Sequence, residues 1–147
     1  MKFLLSTFIV LLFLNSKFSA QINPLTNSAD NGYAWISLSQ PVNKLKDYKQ
    51  NYLISILDNQ KLKKLSGQKI SYLFNCDKEI TELSQSSVSS QTDLDVIIRM
   101  LDVFYSTEEN LIIPVLGAYC YCIKNLSGLS KEELENYRQE LLKFSKE

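Results

Sequence analysis

The chain of 147 residues contains no histidine. That absence removes the Ser-His-Asp and Cys-His nucleophile systems together with the commonest zinc ligand. Glycine is scarce at four residues, and neither G-x-G-x-x-G nor G-x-x-x-x-G-K-S/T occurs, so loops that cradle phosphate are hard to build. There are three cysteines and no redox C-x-x-C. No cofactor is expected. Sixteen basic residues balance sixteen acidic ones, without the clustered basic excess that a nucleic-acid binder needs, so no nucleic-acid partner is expected. Beyond Asn23 no apolar run approaches the roughly 20 residues of a membrane-spanning helix, so no stable membrane anchor is expected.

The one long apolar run stands at the start. Lys2 precedes an almost unbroken apolar stretch from Phe3 to Leu14, and small and polar residues follow from Ser16 to Ala20, the pattern of a secretory signal peptide cut after Ala20. Its core is shorter than the roughly 20 residues of a retained anchor, which favours cleavage and release to the periplasm or the outside. Residues 1–20 are therefore expected to be removed. The remainder suits a loosely ordered leader at 21–34, rich in Asn, Ser and Thr, and a single domain at 35–147. Loss of Lys2 and Lys17 would reduce the basic residues from 16 to 14 against 16 acidic, a slightly negative balance.

Within 35–147 the apolar residues recur at helical spacing. Val42, Leu45, Tyr48, Tyr52, Leu53, Ile56 and Leu57 predict a helix from about 40, with Ser39 as cap and Pro41 in its first turn, extending through Leu62 and Leu65 until Gly67 stops it. Ile70, Leu73, Phe74, Ile80 and Leu83 predict a less regular helix over 68–83 with a break near Asn75 or Asp77. The Ser-rich 85–91 reads as a flexible connection. Thr92 and Asp95 resemble a capping box before the apolar face Leu94, Ile97, Ile98, Leu101 and Phe104. Pro114 suits the first turn of a helix carrying Val115, Leu116, Tyr119, Cys120 and Ile123, which ends at 125–128. Ser130 and Glu133 form an S-x-x-E capping box for a last helix with Leu134, Tyr137, Leu141 and Phe144 on one side. The expected fold is all-α, a small bundle of four to five helices. The competing reading places strands at 70–74 or 111–113, where β-branched and aromatic residues concentrate.

An exported chain meets oxidising conditions, where a disulfide forms if two sulfurs lie close enough. Cys120 and Cys122, two apart on a helix, point to opposite sides and do not bridge each other, which leaves Cys76 to pair with Cys120 or Cys122 and the third cysteine as a buried thiol. Three sulfurs are also soft ligands for copper(I) or zinc, but the splayed Cys120 and Cys122 and the lack of a fourth donor favour packing and a disulfide. No metal site is expected. The acids Asp93, Asp95, Asp102, Glu108 and Glu109 are the remaining candidates for acid-base chemistry, in the manner of a hydrolase acting on cell-wall material. First-turn acids that favour a helix dipole, and an Asp102 off the apolar stripe, explain them as a solvated face. No catalytic residue is assigned.

Lys61, Lys63 and Lys64 cluster beside Leu62 and Leu65, as a solvated helix end or as a surface for an anionic partner. Trp35, the sole tryptophan, is expected to seal the bundle, and the eight tyrosines supply the aromatic area that protein interfaces use.

Two stretches, N-G-Y-A-W-I-S-L with Lys49 and Tyr52 behind it, and L-D-V-F-Y-S-T-E-E-N-L-I-I-P-V from Leu101 to Val115, resemble small exported bacterial helical proteins of uncharacterised function. Ser106 and Thr107 stand where those proteins often carry an acid. More distantly, the layout from Gly32 to Ile123 is similar to the helical immunity proteins that neutralise type VI secretion amidase effectors, although their usual paired-cysteine spacing is missing. Trp35, Tyr105 and Asn110 are the single-residue matches. The resemblance implies a non-catalytic exported protein that binds another protein, with structural roles for those three residues. The alternative is a small-ligand or metal-binding module with a pocket between helices.

Overall fold

The computed structural model describes residues 30–38, 45–85 and 93–147. Among them the protein is all-helical: α1 (Gly32–Ser37), α2 (Leu45–Leu65), α3 (Asp77–Gln85), α4 (Leu94–Phe104), α5 (Val115–Leu126) and α6 (Lys131–Phe144), with 3-10 turns at Tyr72–Phe74 and Glu108–Ile112. The only β pairing among the described residues is an isolated bridge between Asn31 and Pro114. No strand forms at 70–74 or 111–113; the 3-10 turns Tyr72–Phe74 and Glu108–Ile112 take up most of these stretches.

Helix α5 is the centre of the bundle, packed by α2, α3, α4, α6 and the first 3-10 turn. Its composition explains why. Val115, Gly117, Ala118, Cys120, Cys122 and Ile123 are all buried, and most are small, so neighbours approach it from several sides. An apolar residue on every side marks a helix enclosed by others rather than one lying on a surface. Cys120 and Cys122 therefore point apart and are both buried. Cys120 meets Cys76 just ahead of α3 in a disulfide with the Cα atoms 5.4 Å apart, and Cys122 keeps its thiol. Of the two pairings the sequence leaves open, this is the one formed.

The helix ends follow local chemistry. Gly67 has φ of 74°, and the Gly67 and Gln68 N–H groups donate to the Lys64 and Lys63 carbonyls, closing α2 in a Schellman motif that only a residue at ease with positive φ can complete. Gly128 ends α5 in the same way through Asn125 and Lys124. At α6 both halves of the Ser130/Glu133 capping box form. The cap of α4 is Asp93, whose side chain accepts from the Asp95 N–H, one residue later than the expected Thr92; Thr92 itself lies outside the described residues. Ser39, Pro41 and Val42 also lie outside them, as does most of the Ser-rich connection.

Three features of the helix boundaries and faces matter for the surface. The fold begins before Trp35, because the Asn31 side chain accepts the Tyr33 and Ala34 N–H groups and starts α1. The break expected near Asn75 or Asp77 falls at Asn75, where the chain is extended, but the stretch before it is helical only as the 3-10 turn Tyr72–Phe74, with 68–71 outside any helix. Finally, α2 keeps helical spacing to Leu65, but of its residues from 48 onward only Leu53 and Ile56 are buried, and Leu62 and Leu65 stand in solvent.

Candidate functional site

The two stretches that carry the resemblance come together in space. Trp35, wholly buried in α1, donates its Nε1–H to Asp102 Oδ1 of α4 at 2.7 Å. Lys49 of α2 donates to the same oxygen at 2.6 Å and lies 5.3 Å from the Trp35 ring centroid, a cation–π distance. Tyr52, 6.4 Å from Trp35 between ring centroids, donates its hydroxyl to Asp30 Oδ1, and burial followed by that acid raises its pKa. Asp102 stays solvent-exposed, as expected, and is also the acceptor that joins three helices. Below it, Gly32 is pressed against the Tyr105 ring and Leu111, and the Tyr105 hydroxyl donates to the Ile113 carbonyl at 3.0 Å. Burial raises the Tyr105 pKa, so the phenol remains a neutral donor.

Asn110 completes the junction. It is 4% exposed, and its Nδ2 donates to the Phe104 carbonyl at 2.8 Å, which satisfies the end of α4, while its Oδ1 accepts from Arg138 Nη1 at 2.9 Å. Trp35, Tyr105 and Asn110 thus each tie separate elements together through a buried or part-buried hydrogen bond. Of the acids considered for acid-base chemistry, Asp93 caps α4, Asp102 accepts from Trp35 and Lys49, and Glu109 approaches Arg138 at 3.6 Å. Among the described residues no group of three metal-binding side chains occurs, and the sulfurs of Cys76 and Cys120 are engaged with each other.

Arg138 opens onto a cleft of about 640 Å³ between α4, the second 3-10 turn, α5 and α6. Its guanidinium is held by Glu135 through Nε at 3.0 Å and Nη2 at 2.8 Å, and by Asn110 on the other edge. Hydrogen bonds from Arg138 and then Gln139 bring the Glu135 carboxyl down to about 2, and the Glu135 hydrogen bond raises Arg138. The floor is apolar: Phe104 and Tyr121, with ring centroids 4.9 Å apart, beside Met100 and the buried thiol of Cys122, which burial pushes up to about 12. On the far wall Arg99 has no ion pair among the described residues, and Val103 is 72% exposed. Arg138 was not distinguishable in the sequence, because a basic residue on the polar side of an amphipathic helix is ordinary until a buried Asn is found beneath it.

A second groove, of about 860 Å³, runs between the C-terminal half of α2, the 66–74 segment and the end of α6. Its walls include Ile56, Leu62, Ile70, Phe74 and Phe144, with Lys63 and Lys69 at the rim.

Comparison of the chain with protein-family models, with curated proteins and with solved structures finds no significant match.

Proposed function

We propose that this protein is a non-catalytic, exported binding protein that engages another protein through the Arg138 cleft. The observation that carries the reading is the makeup of that cleft. Arginine, methionine and aromatic side chains are enriched in the energetic centres of protein interfaces, where lysine is depleted; Arg99, Arg138, Met100, Phe104 and Tyr121 converge here with no lysine among the lining residues. Arg138 is already oriented by Glu135 and Asn110, so little rotamer freedom is lost when a partner binds. The exposed Val103 and Arg99, which has no ion pair among the described residues, call for a partner that projects an apolar side chain with a neighbouring carboxylate.

Export is supported by the N-terminal apolar run and by the Cys76–Cys120 disulfide, a bond that persists in oxidising compartments. An immunity or inhibitor role, in which the cleft face covers the active site of a partner enzyme, is the sharpest form of the reading. The test is affinity purification of the full chain from its native host, with chemical cross-linking, in parallel with Met100→Glu and Arg99→Glu. A protein held by the wild type, cross-linked near α4 or α6 and lost from both variants while their helical circular dichroism is unchanged, supports the proposal. Equal capture by all three forms, or no protein captured, overturns it.

A further inference from the structure

We infer that the groove beside the end of α2 is a separate binding site, for a single-chain anionic amphiphile. The gap is built into the fold. Gln60 donates to the Phe74 carbonyl and Lys64 pairs with Asp77, and these two ties fix α2 to the segment that follows it. The apolar walls between the ties do not close on one another. Ile56, Ile70, Phe74 and Leu116 face a space of about 860 Å³, within the range of roughly 300–1,000 Å³ typical of small-ligand sites. Phe144 packs edge-on against Phe74 at 5.1 Å and is still 41% exposed, and Leu62 is 62% exposed, so apolar surface continues to the mouth. A tail of methylene groups would cover that surface and gain from its removal from water.

Charge decides the head group. Lys64 is committed to Asp77, whereas Lys63 and Lys69, which line the groove, have no ion pair among the described residues. The single acid in the lining, Asp30, lies at the opposite end, where it accepts from Tyr52. Tyr52 and Lys63 are eleven residues apart on α2, about 16 Å at 1.5 Å per residue. The groove is therefore polarised, with its cations around the Gly67 turn and its apolar walls leading away from them. At that turn the Lys64 and Lys63 carbonyls accept from the Gly67 and Gln68 N–H groups. A carboxylate and a phosphate monoester share the chemistry required: a compact anionic head on one acyl or alkyl chain.

The protein purified after expression of the full chain is titrated, below the micelle concentration, with dodecanoate, dodecyl phosphate and dodecyltrimethylammonium, and followed by calorimetry and by amide chemical shifts. Saturable binding of either anion, with shifts at 62–74 and Phe144 and little binding of the cation, is expected; which anion binds more tightly separates a free fatty acid from a phosphate-headed lipid. The double variant Lys63→Glu, Lys69→Glu is expected to weaken the anion by on the order of tenfold. Leu62→Asp, at an exposed position, removes tail contact without disturbing the core. Val103→Glu, in the other cleft, leaves amphiphile binding unchanged, so this site and the protein-binding reading fail independently. Absence of saturable binding, equal binding of the cation, or indifference to the lysine reversal overturns the inference.

Discussion

The Trp35 indole N–H and the Asp102 carboxylate meet at 2.7 Å although 67 residues separate them in sequence. Asp102 Oδ1 also takes the Lys49 ammonium, so one oxygen joins α1, α2 and α4. The carboxylate side is 44% exposed and the indole is fully buried. The pair is therefore an anchor whose loss is felt chiefly on the tryptophan side.

Asp102→Ala leaves the buried indole N–H without its acceptor, and a buried unsatisfied donor costs about 1–3 kcal/mol. Asp102→Asn keeps an amide oxygen at the same place and loses less. Urea unfolding followed by the fluorescence of the sole tryptophan checks the order: wild type most stable, then Asn, then Ala. Equal midpoints for Ala and wild type would show that the hydrogen bond is incidental.

Gly32 and Gly117 differ in what surrounds them. A Cβ on Gly32 would overlap the Tyr105 ring and come within 2.7 Å of the Leu111 Cα, which is backbone and cannot turn aside. On Gly117 the nearest atom, at 2.6 Å, is the end of the Leu141 side chain. Gly32→Ala is expected to destabilise by about 1–3 kcal/mol or more, and Gly117→Ala by less, since Leu141 can repack. Thermal unfolding of both variants gives the comparison; a more severe Gly117→Ala would reverse the assignment of which contact is rigid.

The fold class was legible because its signals are local. Helical spacing of Leu94, Ile97, Ile98, Leu101 and Phe104, the Ser130/Glu133 box and the glycines at 67 and 128 each act within a few residues of themselves, and all appear as read. What escaped depends on contacts distant in sequence. Asp102 reads as a surface acid and is one, but its role as acceptor for Trp35 and Lys49 is set by residues far away in sequence, and Arg138 is unremarkable until Asn110 is buried beneath it. Leu62 and Leu65 continue the α2 spacing and stand exposed beside the lysines, because the segment after Gly67 does not cover them. The choice between Cys120 and Cys122 likewise rests on which face of α5 the chain before α3 crosses.

The Cys76–Cys120 bond closes a separation of 44 residues, and in the chain-entropy account a loop of that size stabilises by about 4 kcal/mol. Cys76→Ser is expected to lower stability by about that amount. Alkylation with iodoacetamide at pH 8 checks the pairing: the native protein should take up no label, because the Cys122 thiol is buried and held near 12, and the unreduced denatured protein should take up one. Three labels without reductant would exclude the bond.

Acid weakens the protein through identifiable carboxylates. Arg138 holds Glu135 down to about 2, and Ser130 lowers Glu133. At Glu79 burial opposes ionisation, but the hydrogen bond and charge of Lys124 outweigh it and the net shift is downward. A carboxyl with a depressed folded-state pKa contributes stability that is complete above its ordinary value of about 4.5 and is lost as pH falls through the folded value. Stability should therefore decline between about pH 4.5 and pH 2, and Glu135→Gln should make that decline shallower. The buried phenols act at the other end: burial raises Tyr105 and Tyr137, so their contribution is present below pH 10 and lost above it. Denaturant midpoints across pH 2 to 11 give both arms of the curve. An acid arm as steep in Glu135→Gln as in the wild type would remove Glu135 from the explanation.

The Arg138 cleft is the face of the bundle proposed to receive a protein partner. Amide hydrogen exchange on the full chain, alone and with the protein that co-purifies with it, reads that face directly. Slowed exchange in α4 and in the 135–142 stretch of α6, with the end of α2 unaffected, is the result the account predicts. Protection confined to α2 and the 66–74 segment, or no protection in a complex of demonstrated stoichiometry, would contradict it.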